Sequence, residues 1–248
     1  MGHMSEPVTR AAIVTGATGG VGSATVDALL GRGYGVIAVD LAAAPEAWSG
    51  DDRIALVVGD VSLEETAAAA VRLAEERFGR LDLLVNNAGL FLRKPLGDTT
   101  VDDLERLLRV NVIGTFLFTR AAIPALATTR GAIVNLGSIS GLVGTADQSA
   151  YSITKGAIVQ FTRQSAIEHA PLGVRVNAVA PGAIDTEFVA KAVAEGSVPG
   201  ATMDALRAAN PLGRVSTAAE VADAIVWLAE SAGVTGSILS IDGGHTAR

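Results

Sequence analysis

Seven short apolar runs, separated by longer stretches of helical periodicity, constrain the fold of this 248-residue chain more than any other feature. The runs are Ala11–Thr15, Gly35–Val39, Ile54–Val58, Leu81–Val85, Ala132–Leu136, Val174–Val179 and Ser237–Ile241. Each is close to continuous Val, Ile, Leu and Ala rather than alternating, which implies strands covered on both faces, as in a parallel sheet sandwiched by helices. Helical periodicity occupies Val21–Arg32, Leu63–Phe78, Val101–Ala127, Ala150–His169 and Ala218–Ser231. Thr99-Thr-Val-Asp-Asp103 and Ser216-Thr-Ala-Ala-Glu220 supply N-terminal caps, while Gly79 and Pro171 stop the helices before them. Strand and helix alternating throughout predicts a single doubly wound (Rossmann-type) α/β domain with a seven-stranded, mainly parallel sheet and right-handed crossovers. That domain takes in residues 4–248, with Met1-Gly2-His3 set aside as a cloning remnant. One stretch breaks the rhythm: residues 184–213, containing Gly196, Pro199 and Gly200, are too long for a connection and read as a lid over a binding site.

Composition removes several function classes. No uninterrupted apolar run approaches the roughly 18 residues that span a bilayer, and no charged-then-apolar leader precedes the first strand, so a cytoplasmic protein is expected. The absence of cysteine excludes disulfides, thiolate ligands and a cysteine nucleophile. A net charge of −7 disfavours nucleic acid or an anionic membrane as partner. His3, His169 and His245 share no metal-ligand spacing, so no metal site is expected; His169 suits a helix C-terminus.

Chemistry enters after the first strand. Thr15-Gly-Ala-Thr-Gly-Gly-Val-Gly22 opens a helix. Gly16 permits the tight turn, Gly20 allows backbone to approach a pyrophosphate, and Gly22 allows close helix–strand packing. Thr18 and Val21 belong to the same cofactor-facing turn, and the helix N-terminus offers N–H groups to phosphate. Asp40 ends the second run, 24 residues after Gly16. A carboxylate there accepts from both adenosine ribose hydroxyls and repels a 2′-phosphate. With no Arg or Lys in residues 15–25 or directly after Asp40, NAD is expected over NADP. Asp60-Val61 ends the third run, where an adenine would lie; Asp60 as N-cap of the next helix is the competing reading. Further on, Tyr151 and Lys155 stand four apart, thirteen residues or more after Ser138. On a helix that spacing puts phenol and ammonium on one face, where a cation favours phenolate.

Thr15-Gly-x-x-x-Gly-x-Gly22, Asn86-Asn-Ala-Gly89, Asn111, Ser138, Tyr151-x-x-x-Lys155 and Pro181-Gly182, followed by Ile241-Asp-Gly-Gly244, resemble the short-chain dehydrogenase/reductase family in order and spacing. The resemblance runs from about Thr9 to the C-terminus. It implies that Tyr151 is the acid-base, that Ser138 holds the substrate oxygen, and that Lys155 lowers the Tyr151 pKa and binds nicotinamide ribose. It further implies that Asn111 positions a water in a proton relay. Asn87, Ala88 and Gly89 would shape the cofactor side of the fourth strand. Pro181, Gly182, Ile184 and Thr186 would clamp the nicotinamide. The competing chemistry, Ser138 as a nucleophile, has no histidine to serve it, and Ser140 is a second serine in the same Gly137–Gly141 stretch.

The expected substrate is a mainly apolar secondary alcohol or ketone. Leu90-Phe-Leu92, Ser140–Gly144, Gln148, Phe188, Val189 and Met203 would line its pocket, and Arg93 and Lys94 would flank the entrance. Family resemblance also implies a homotetramer, built through the Val101–Ala127 and Ala150–His169 helices and through Ala218–Ser231 with the last strand. Two alternatives stand beside this reading. One is an NADPH-dependent 3-oxoacyl reductase; the other is a non-catalytic dinucleotide-binding protein.

Overall fold

The computed structural model describes residues 8–185 and 202–247. β1 (Arg10–Thr15), β2 (Tyr34–Asp40), β3 (Ile54–Val58), β4 (Leu83–Asn86), β5 (Ala132–Leu136), β6 (Arg175–Pro181) and β9 (Ile238–Ile241) form one sheet in the order β3-β2-β1-β4-β5-β6-β9. Every neighbouring pair is parallel. All seven expected strands are present, shifted by no more than two residues at either end. At β4 the shift is at the start, where Leu81-Asp82 stays outside the ladder. There the Asp82 carboxylate accepts from the Ala11 N–H at 2.8 Å and from the Arg80 guanidinium.

Continuous apolar strands imply two cores, and the molecule has two. Along β1, Ala12 and Val14 join a cluster with Val26 and Leu29 of α1 (Gly20–Gly31). The same cluster holds Val221, Ile225 and Leu228 of α7 (Ala218–Glu230). Ile13, on the opposite face, joins Ala67, Ala70 and Ala74 of α2 (Glu64–Phe78) with Leu117, Phe118 and Ala122 of α4 (Thr115–Thr129). Period-two alternation thus splits one apolar strand between two helical layers.

The single helix expected over residues 101–127 is a rod in three parts. α3 (Val101–Leu107) passes through a π-helical segment, Leu108–Gly114, into α4. Thr100 caps α3 in a reciprocal box with Asp103. This 29-residue rod is apolar and long enough to cross a bilayer by composition, but half of its most apolar window is buried inside the protein. Buried amides tie it to the sheet: Asn86 Nδ2 donates to Thr119 Oγ1 and Asn135 Oδ1, and Asn135 Nδ2 donates to Thr162 Oγ1 of α5 (Ser149–His169). Because each bond is made within a low-dielectric interior, this ladder fixes α4 and α5 relative to the strand ends above it.

The insert after β6 is partly regular. β7 (Ile184–Asp185) pairs with β8 (Ser216–Thr217) in a second, two-stranded sheet, and α6 (Met203–Ala208) lies between them in sequence. Thr217 then caps α7 with Glu220, whose carboxylate is forked by Arg214 at 2.6 and 2.8 Å. The expected lid residues Thr186, Phe188, Val189, Gly196, Pro199 and Gly200 lie outside the described residues.

Candidate active site

In an open parallel sheet, ligands bind beyond the carboxyl ends of the strands where the strand order reverses, here between β1 and β4. The glycine turn sits at that point. Gly16 adopts φ +61°, and a Cβ on it would lie 2.8 Å from the Ala88 Cα. A Cβ on Gly22 would lie 2.0 Å from the Gly16 oxygen and 2.9 Å from Asn87 Nδ2. Both positions therefore exclude a side chain. Asn87 Nδ2 donates to the carbonyls of Thr15 and Gly16, each at 2.9 Å, and Thr15 Oγ1 accepts from the N–H groups of Asn87 and Ala88. The turn is thereby clamped to the end of β4. Gly19 is the N-cap of α1 and supplies no side chain, which leaves first-turn N–H groups facing the cleft near Gly20 and Val21. Both Asp40 oxygens are held by backbone, Oδ2 by the Thr18 N–H at 2.9 Å and Oδ1 by the Ala42 N–H at 3.2 Å. A carboxylate so fixed beside an uncapped helix start fits the ribose and pyrophosphate of a dinucleotide.

One expectation is corrected here. Asp60 does not cap the following helix; Leu63 occupies the N-cap position. Asp60 instead closes a two-residue turn, its Oδ1 accepting from the Ser62 N–H at 2.8 Å. Next to it, Val61 is buried and packs on Gly114, where a Cβ would come within 3.0 Å of Val61 Cγ2.

The remaining chemistry converges from β4, β5, the π segment and α5. Ser138 follows β5 and starts a short 3₁₀ turn, its hydroxyl accepting from the Ser140 N–H at 3.1 Å. That turn is pressed onto α5: a Cβ on Gly141 would meet the Lys155 carbonyl at 2.6 Å. The close seating puts the Ser138 side chain near enough to the Tyr151 phenol to act on its pKa. Ser140, the second serine of the stretch, instead donates to Gln148 Oε1 at 2.6 Å. Lys155, one helical turn on, donates to the Leu136 carbonyl at 2.6 Å and lies 5.7 Å from the centre of the Tyr151 ring. The Phe91 ring closes the other side of Tyr151, edge-on at 4.9 Å.

Burial dominates the electrostatics. It pushes the Tyr151 phenol up to about 12, the Ser138 side chain opposing it, and pushes the Lys155 ammonium down to about 8. Lys155 is not among the causes acting on the phenol here, and its ammonium is directed at the Leu136 carbonyl.

Asn111 lies in the π segment, where helices widen by one residue per turn, often beside functional groups. Its Oδ1 accepts from the Leu90 N–H at 2.7 Å, and its Nδ2 donates to the Leu90 carbonyl and to Thr154 Oγ1. Thr154 in turn donates to the Tyr151 carbonyl at 2.8 Å. Asn111 is thus a brace between the β4 loop and the turn of α5 that bears Tyr151. Thr154 was not singled out by the sequence; its only signal is its place inside Tyr151-x-x-x-Lys155. Gly89 lies beside both Asn111 and Lys155, since a Cβ there would come 3.3 Å from Asn111 Oδ1, a tight contact, and 3.7 Å from Lys155 Nζ. Pro181 ends β6, Gly182 donates its N–H to the Ile241 carbonyl at 3.1 Å, and Ile184 begins β7. Thr186 lies outside the described residues. A separate cavity of about 370 Å³, lined by Leu212, Arg214, Glu220 and Asp242 among others, includes none of Ser138, Tyr151 or Lys155. Among the described residues no cluster of His, Asp or Glu suits a metal.

With a dinucleotide cradle at the switch point and a Ser–Tyr–Lys set beside it, the chain belongs to the short-chain dehydrogenase/reductase family and is an NAD(P)-dependent oxidoreductase. The matching family model, described as enoyl-(acyl carrier protein) reductase, covers residues 16–246. Among its relatives is cis-4-hydroxycyclohexanecarboxylate dehydrogenase of Sinomonas cyclohexanicum, 39% identical over 96% of this chain and 97% of that protein. Another is 2-(R)-hydroxypropyl-CoM dehydrogenase of Xanthobacter autotrophicus, 38% identical over 97% of this chain and 100% of that protein. The solved structure of ElxO with NADP bound superimposes with a TM-score of 0.89 at 32% identity, covering 96% of this chain and 99% of that one.

Proposed function

We propose that this protein interconverts a secondary alcohol and its ketone with NAD(H), using Tyr151 as acid-base, Ser138 to hold the substrate oxygen and Lys155 to support both. The observation that carries this reading is the convergence of Ser138, just after β5, with Tyr151 and Lys155 on one face of α5, the ammonium 5.7 Å from the centre of the phenol ring. A nicotinamide dinucleotide supplies the hydride acceptor or donor when bound. The chain's residues must supply the rest. Ser138 donates to the carbonyl or carbinol oxygen and fixes it against the phenol. Tyr151 takes the hydroxyl proton in oxidation and returns it in reduction. Lys155, turned from Leu136 toward ribose hydroxyls, would bring its charge to bear on the phenol. Asn111 holds Leu90 and, through Thr154, the Tyr151 turn; a relay water would use the second lone pair on its Oδ1. Pro181, Gly182, Ile184 and Thr186 are assigned to the nicotinamide side, and Asp60 with Val61 to adenine. Appearance of the reduced-nicotinamide absorbance with a panel of secondary alcohols tests the reading. Binding of NAD without turnover of any alcohol or ketone would favour a non-catalytic dinucleotide-binding protein.

NAD is proposed over NADP because Asp40 is held over the glycine turn by two backbone N–H groups, where a 2′-phosphate would meet a fixed negative charge. The NADP-bound neighbour is the argument for the other choice. Asp40→Ala is expected to shift the NAD:NADP ratio of kcat/KM toward NADP by about 10- to 100-fold, the worth of one charge-assisted hydrogen-bond site. Equal use of both cofactors by the parent would overturn the assignment. A cytoplasmic homotetramer completes the proposal. Ile113, Phe116 and Ile153 stand about half exposed on the π segment, α4 and α5, where a partner helix pair would cover them. Light scattering reads the mass directly.

A further inference from the structure

Arg93 and Lys94 both precede Pro95 at the mouth of the cleft, yet their surroundings differ. Lys94 is committed, its ammonium 2.8 Å from Asp103. Arg93 is largely covered, its Nε is buried without a hydrogen-bond partner, and its nearest carboxylate, Asp147, stands 4.0 Å away. A buried guanidinium nitrogen left unpaired costs free energy unless something else engages it. Two observations place this group at the substrate side of Tyr151. Phe91, which packs edge-on against the Tyr151 ring, is two residues away, at most about 7 Å along the backbone. The Lys94 N–H also donates to the Asp147 carbonyl at 2.6 Å, joining the Arg93 segment to the loop that leads into α5. Asp147 adopts φ +59°, a left-handed conformation that aspartate tolerates better than most residues. Exposed apolar side chains accompany both Arg93 and Ser138: Leu90 and Phe91 on the Arg93 segment, and Leu142 and Val143 after the turn that begins at Ser138, are each more than a third exposed.

We propose that Arg93 recognises a carboxylate carried by the substrate, a few apolar carbons from its secondary hydroxyl. The hydrocarbon would lie on Leu90, Phe91, Leu142 and Val143, while the acid takes the guanidinium face that Asp147 meets only loosely. A planar, forked donor suits a carboxylate better than a point charge does. This assignment rests on the dehydrogenase reading for the position of the hydroxyl, but its test does not depend on turnover alone.

The experiment compares 4-hydroxycyclohexanecarboxylate with 4-methylcyclohexanol as substrates of the NAD-loaded protein. The parent is expected to favour the acid in kcat/KM by about 30-fold or more, and Arg93→Met to bring that ratio to within about threefold of unity. Arg93→Lys, with the charge but no fork, should fall between them. Calorimetry with unreactive cyclohexanecarboxylate gives a second readout: binding by the parent, weakened at least about tenfold in Arg93→Met. A parent without acid preference, or a preference that survives Arg93→Met, overturns the inference while leaving the dehydrogenase intact. Arg93-dependent binding of the acid with no alcohol oxidised by any form leaves the inference standing and removes the dehydrogenase reading.

Discussion

Tyr151→Phe is expected to lower kcat/KM for alcohol oxidation by about 10²- to 10⁴-fold, the range for losing a positioned proton-transfer group. Only the hydroxyl goes. The ring keeps its edge-on contact with Phe91, so dinucleotide affinity should change little. The same variant identifies the ionising phenol. The chain has two tyrosines, and burial raises both, Tyr151 to about 12. In the free protein, neither phenol should therefore ionise near neutrality. Loading with NAD adds a cation, and one phenolate should then appear at lower pH, because a nearby positive charge favours the charged form of an acid. The sign is definite: a raised pKa keeps the proton on, and activity rises with pH as it leaves. A phenolate signal that persists in Tyr151→Phe, or oxidation within tenfold of the parent, would refute the acid-base assignment.

The second large effect is expected at Gly22→Ala, where the added methyl would meet the Gly16 oxygen at 2.0 Å. No rotation relieves that contact, because a Cβ is fixed by its backbone. The turn must shift, and with it the Thr18 N–H that holds Asp40 and the Asn87 amide that holds Gly16. Overpacking of this kind costs about 2–3 kcal/mol. At roughly 2–4 °C per kcal/mol for a chain of this size, Tm should fall by about 4–12 °C. Misplacement of the cradle by about 1 Å should reduce kcat/KM for NAD by about 100-fold. Calorimetry and steady-state kinetics read the two losses separately. Gly31→Ala, where nothing lies within 4 Å of the added carbon, is the control. A Gly22→Ala protein with the parent's Tm and NAD kinetics would show that the turn does not hold the dinucleotide.

Much of the fold was legible because the strands are buried on both faces. The unbroken apolar run Ala132–Leu136 reads as such a strand, and the structure has the same bounds with four of its five residues buried. Residues that meet only in space were harder to read. Asp60 looked equally able to cap a helix, and three-dimensional turn geometry gave the cap to Leu63. The spacing of Tyr151 and Lys155 put both on one face of a helix, but it carries no information on their burial or on the Leu136 carbonyl that accepts from the ammonium. Arg93 and Lys94 are neighbours of equal charge, and sequence offers no reason why one finds Asp103 and the other remains unpaired at Nε. Asn111 was marked out by resemblance, yet its bonds to Leu90 and Thr154 cross 21 and 43 residues. The β7–β8 pair is too short for any periodicity to register.

The π turn that carries Asn111 sets a residue count. Leu108–Gly114 uses one residue more than tight α winding would. Excising that surplus residue would let the stretch wind as ordinary α-helix, with the two halves of the rod close to their present phase. The Thr119 contact to Asn86 should then survive, while the widened turn that presents Asn111 to Leu90 and Thr154 would be gone. The extra residue therefore serves the amide brace and not the rod.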